Sequence, residues 1–183
     1  MLMEQLFSSG VLQMGPSRID PARQVGIFSP AAIAGVAAVR AAELDKLAWL
    51  NGAWNHDNAV PATRVSPPYS DIGKSRFARS KDGMWICAVA PDGTETPQIT
   101  FDPFSKQWIY VLTRGSYGIL RSTDGWSDNR IVFSGLMTMI GINCEWRMSW
   151  TRHDDDNFSF TNEEQLADGT WAYIDEWHFR RER

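Results

Sequence analysis

The chain has 183 residues, 43% of them hydrophobic and 22% charged, an ordinary globular composition that excludes wholesale disorder, a collagen-like repeat and a disulfide-framework miniprotein. Eighteen Lys plus Arg stand against 22 Asp plus Glu, giving a formal charge of −4 with no long block of either sign, so the sequence does not read as a nucleic-acid binder. Nine Trp, nine Phe and four Tyr suit strands around a broad apolar interior better than a helical bundle.

Residues 1 to 24 mix Ser, Gly, Pro, Arg and Asp with no sustained period and read as a leader. From Val25 to Val39 the chain turns apolar, but the run Ala31 to Val39 is well short of the roughly 20 residues a bilayer span needs, so no transmembrane anchor is expected. Two readings stay open: a signal-peptide apolar region with small residues near Ala38 to Ala42, or an Ala-rich helix with Ser29 as N-cap and Pro30 at its first position. A cytoplasmic and an exported, periplasmic location therefore both remain open. The expected division is a leader over 1–41, disordered or signal-like, and one domain over 42–183.

After a short helical stretch from Ala42 to Leu50, period two takes over. Its clearest instance is Ile142 to Thr151, where every even residue is apolar and every odd one polar, the pattern of a strand with one buried face. Around it the sequence predicts strands at Gly52–His56, Gly73–Ser80, Met84–Ala90, Gln98–Asp102, Gln107–Arg114, Tyr117–Ser122, Arg130–Gly135, Phe158–Gln165 and Thr170–Arg180. Turn sequences such as Lys81-Asp82-Gly83, Pro91-Asp92-Gly93 and Asp168-Gly169 separate them. With no helix available for crossovers, these ten strands make an antiparallel meander. Closure into a barrel removes the exposed edges such a meander leaves. Cys87 and Cys144 lack metal-ligand spacing; they are buried thiols in a cytosol, or one bridge if the chain is exported.

The stretch Leu47-Ala48-Trp49-Leu50-Asn51-Gly52-Ala53-Trp54 resembles the opening of calycin-type barrels, the lipocalins and fatty-acid-binding proteins. Phe101-Asp102-Pro103, Asp124 to Gly135, Asp168 to Trp171 and Glu176 to Arg181 resemble bacterial lipocalin-like domains of unknown function. The resemblance implies an all-β, closed antiparallel calycin-like barrel of about ten strands with an N-terminal helix. It also implies that Gly52 and Trp54 close one end under a late-strand Arg, Arg180 or its neighbour Arg181, with Arg180 the first choice. Such barrels bind a small hydrophobic or amphipathic molecule, non-catalytically. Pro61, Pro67 and Pro68 replace a plain second strand and read as a lid or a loose edge.

A more distant likeness is to nitrobindins, ten-stranded barrels that hold haem through a His in the last strand. The matching position is His178, although the Gly-x-Gly that follows Gly-x-Trp in that family is replaced here by Asn55-His56-Asp57. Haem is thus the alternative cofactor and His178 its expected axial ligand. Candidate ligand-binding residues are Trp146, Met148 and Trp150 on the inward face of their strand, with Trp108, Tyr110 and His178. A third reading is a calycin-like enzyme using Glu145 or Asp175, with Glu176, His56 and His178 nearby. No nucleophile motif accompanies these groups, and no catalytic residue is assigned. His153 to Asn157 lacks the spacing of a calcium loop and reads as a hairpin tip, so no metal site is assigned.

Overall fold

A computed structural model describes residues 30–62, 67–122, 124–139 and 141–183. The leader up to Ser29, including the proposed cap and the first residues of the signal-like stretch, and residues 63–66 of the Pro-rich connection lie outside the described residues. The chain divides into two units, Met1–Ala37 and Ala38–Arg183. Helix α1 (Pro30–Asp45) begins at the proline expected to open it. It does not restart at Ala42; one helix runs to Asp45, and a single 3-10 turn, Ala48–Leu50, follows. No described helix is long and apolar enough to cross a membrane.

All ten expected strands form: β1 (Gly52–Val60), β2 (Tyr69–Arg79), β3 (Ile86–Val89), β4 (Glu95–Asp102), β5 (Gln107–Arg114), β6 (Ser116–Ser122), β7 (Arg130–Met139), β8 (Ile142–Arg152), β9 (Asn157–Gln165) and β10 (Trp171–Arg181). Each pairs antiparallel with the next, and β1 pairs with β10, so the sheet closes into a ten-stranded calycin-like barrel. Several strands outrun their sequence pattern because a neighbour supplies the pairing. β1 continues to Val60 opposite Tyr69 of β2, and β7 to Met139 opposite Ile142 of β8. Hydrogen-bond partners, more than side-chain alternation, decide where such strands stop.

The barrel is filled unevenly. At the end where β1 starts and β10 finishes, Trp54, Trp108, Trp150, Phe133 and Phe158 are fully buried, and Leu44, Leu47 and Leu50 join the same core. Trp54 donates its indole N–H to the carbonyl of Leu50 at 2.8 Å and meets the Phe158 ring edge to face at 4.8 Å. Over Trp54 lies a guanidinium, 4.2 Å from the ring centroid, and it belongs to Arg181. Arg181 also donates to the carbonyls of Asn51 (3.0 Å) and Trp49 (2.6 Å).

Arg180, the first choice from sequence, stands on the outer face, 70% exposed and paired with Asp57 at 2.9 Å. The reason is strand alternation: Phe179 points inward, so the next residue points out and the one after it in. Gly52 belongs to the same closure. Its φ of 129° suits glycine, and a Cβ there would stand 3.0 Å from Arg181 Nη1.

The closure separates two adjacent arginines. Trp54→Ala is expected to cost about 3–5 kcal/mol, the range for deleting a buried aromatic. Arg181→Ala loses a cation–π contact and several hydrogen bonds, about 2 kcal/mol or more, whereas Arg180→Ala stays within about 0.5 kcal/mol. Urea unfolding of the three variants measures these differences; equal losses for the two arginines would contradict the assignment.

Candidate ligand-binding site

Past this aromatic floor the barrel is hollow. A cavity of about 420 Å³ lies towards the opposite end, where β1, β3, β5, β7 and β9 finish and their partners begin. Alternation builds its walls. The even residues of β8 point inward, as their pattern predicts, and Trp146 and Met148 face the space. Tyr110 and Leu112 of β5 and Met137 and Met139 of β7 add to it. At the rim stand Tyr69, 45% exposed, and Ile142, 65% exposed.

Three of the six ligand candidates from sequence, Trp146, Met148 and Tyr110, therefore line the cavity. Trp150 and Trp108 are 2% exposed and belong to the filled end. Trp150 supports the site from below, stacking on Phe160 at 5.4 Å, and Phe160 lines the cavity. His178 faces away. Its neighbours Trp177 and Phe179 occupy the inward positions, and its ring lies on the outer surface, 49% exposed and 3.9 Å from Glu176. An imidazole there does not fit an axial ligand inside the barrel, so the haem reading has no ligand at that position.

The acid/base candidates do not converge. Glu145 is exposed and Glu176 pairs with His178 on the outer face. His56 lies inside, its ring 5.4 Å from Trp177 and its Nδ1 2.8 Å from Ser75 Oγ, but it is packed in place and does not line the cavity. Gly73 makes room for it, since a Cβ at that position would come within 2.9 Å of His56 Nε2. The His153 to Asn157 segment is a hairpin tip. Asp154 accepts hydrogen bonds from the Asp156 backbone N–H and the Asn157 amide. Cys87 and Cys144 are free thiols; Cys144 lines the cavity, and burial raises its pKa, with Glu164 and Glu145 adding to the effect.

One polar cluster interrupts the apolar wall. The register of β9 and β10 shifts between Tyr173 and Asp175, and this bulge turns Ile174 to the interior beside Asp175. The Trp146 indole N–H donates to Asn162 Oδ1 at 3.1 Å, and Asn162 Nδ2 donates to Asp175 Oδ1 at 2.7 Å. The Tyr69 hydroxyl donates to Asp175 Oδ2 at a long 3.4 Å. Asp175 is only 5% exposed, and burial raises its pKa above the ordinary 3.8 although Asn162, Trp177, Asn58 and Tyr69 all favour its charged form. Asn58, 2% exposed, leaves both amide atoms without a completed hydrogen bond.

Asn162 and Trp177 were legible as members of apolar inward rows, Phe158-x-Phe160-x-Asn162 and Trp177-x-Phe179. The inward turn of Ile174 was not, because the bulge changes the parity of β10 in mid-strand.

The chain matches no family model and no curated protein. Among solved structures it is similar to Rv2717c from M. tuberculosis, at 14% identity over 77% of this chain and 98% of that one, with a TM-score of 0.52. It also matches a redesigned β-barrel (13% identity, 74% and 93% covered, TM-score 0.34) and a protein of unknown function from the DUF3598 family of Nostoc punctiforme (11%, 73% and 48%, TM-score 0.37). The first likeness is one of fold alone.

Two outcomes follow from the placement of His178 and Asp175. Hemin added to the protein and to His178→Ala should give the same spectrum, because the ring faces solvent; a Soret band present only in the parent would contradict this. For Asp175, the folded state holds the proton more tightly than the unfolded chain, so stability falls as pH rises from 3.8 through the raised value. Asp175→Asn removes that loss. Its urea midpoint should exceed the parent's at pH 7 and converge on it below pH 3.8; a variant less stable at pH 7 would contradict the sign.

Proposed function

We infer that the barrel is a non-catalytic carrier or sensor of a small, hydrophobic or amphipathic molecule, held in the cavity between Tyr110, Met137 and Trp146. The observation that carries this reading is the cavity itself. At about 420 Å³ it falls within the roughly 300–1,000 Å³ of small-molecule sites. Its walls are methionine, leucine and aromatic side chains, and a few polar groups gather at one place. Burying apolar ligand surface there is worth about 25 cal/mol per Å² before the costs of association. Methionines at three wall positions, 137, 139 and 148, give a surface that adapts to more than one ligand shape. In this reading residues 42–183 carry the binding function and 1–41 are a leader.

The test fills the cavity without charging it. N-phenylnaphthylamine, an uncharged apolar fluorophore, is expected to brighten on binding the parent. Met139→Trp and Leu112→Trp, each placing an indole in the cavity, should weaken that binding about tenfold or more while the far-ultraviolet spectrum stays that of a β-barrel. Unchanged affinity in both folded variants would sink the reading.

A further inference from the structure

Among the described residues, the ionisable side chains that line the cavity are acidic. Those of Asp, Glu, Lys, Arg or His type among the described lining residues are Glu164 and Asp175. Asp175 is the deeper, and among the described residues it forms no ion pair. The groups around it, Asn162 at 2.7 Å, Tyr69 at a long 3.4 Å, Trp177 and Asn58, are all neutral, so none of them balances its charge. A buried carboxylate without a counter-ion is costly to maintain. A binding partner that brings the missing positive charge recovers part of that cost each time it binds.

The rest of the wall favours the same sign. Trp146, Trp177, Phe160 and Tyr110 face the space, and aromatic faces attract cations and repel anions. A fatty-acid carboxylate would meet Glu164 and Asp175 with no cation among the described lining residues to receive it.

Resting on the reading of the barrel as a small-molecule binder, we propose that its ligand class is the cationic amphiphile: an alkyl or aryl amine whose apolar body fills the methionine-lined cavity and whose ammonium is held by Asp175. The ammonium pairs with the Asp175 carboxylate, with Tyr69 and Asn162 keeping that carboxylate in place from two sides. Glu164, nearer the β9 end of the wall, adds a second acidic group that discriminates against anions at the mouth.

Decylamine, decanol and decanoate share one tail and differ only in head-group charge, so competition of each against N-phenylnaphthylamine at pH 7 isolates the charge preference. The amine is expected to bind at least about tenfold tighter than the alcohol, as a charge-assisted hydrogen bond allows, with the carboxylate weakest. Asp175→Asn should remove the amine's advantage, and Glu145→Gln, which removes an exposed carboxylate from the outer face, should retain it. An amine no better than the alcohol in the parent, with the fluorophore bound, overturns the ligand class and leaves the binding function standing. The same holds if Asp175→Asn and Glu145→Gln lose the preference equally. Failure of the fluorophore and all three probes to bind overturns both.

Discussion

The structure depends on one closure, the pairing of β1 with β10 beneath the guanidinium of Arg181. Without it the ten strands form an open sheet with two unpaired edges. With it, Trp54 is locked between Leu50 and Arg181 and becomes the base of an aromatic column. Phe158 stands on Trp54, Phe179 stacks on Phe158 at 4.3 Å, and Phe160 and Trp177 continue towards the other end. Each such contact adds about 0.5–1.5 kcal/mol to simple burial. The column fills one half of the barrel and stops, and the cavity begins where it stops.

This division of labour places stability and recognition at opposite ends of the same strands. β8 shows it within eleven residues: Trp150 is core, Met148 and Trp146 are cavity wall, and Ile142 is rim. β10 does the same, from Arg181 at the floor through Phe179 and Trp177 to Asp175. Asp175 keeps the inward parity of Trp177 and Phe179, and the bulge beyond it turns Ile174 inward as well. A strand without it would turn Ile174 outward and leave the carboxylate in a regular apolar row. Burial raises the pKa of Asp175, and buried carboxylates perturbed in this way cluster at functional sites.

Much of the architecture was readable from the residues because a half-buried strand writes its alternation directly into the sequence. Ile142 to Thr151 announced both a strand and its inward face, and turn sequences marked nearly every hairpin. What escaped were features set by neighbours. The lengths of β1 and β7 come from pairing partners. The choice between Arg180 and Arg181 follows from parity counted from Phe179, which a register one residue different would reverse. The site was legible in part: Trp146, Met148 and Tyr110 follow from alternation, but alternation does not say where a filled interior gives way to a hollow one. Trp150 and Trp108 point inward like Trp146, and only three-dimensional packing separates core from wall. His178 was prominent as a rare residue in the last strand, yet its neighbours Trp177 and Phe179 leave it only the outer face.

The three methionines of the wall offer the most direct view of whether the hollow half is a binding site. Met137, Met139 and Met148 line the cavity, whereas Met84 lies 41% exposed in the turn at the filled end. In a methyl-labelled sample titrated with decanol and followed by proton–carbon correlation spectroscopy, the three wall methyls should shift together and saturate at one ligand per barrel while Met84 stays still. Shifts confined to Met84, or none at saturating decanol, would contradict a ligand-binding cavity.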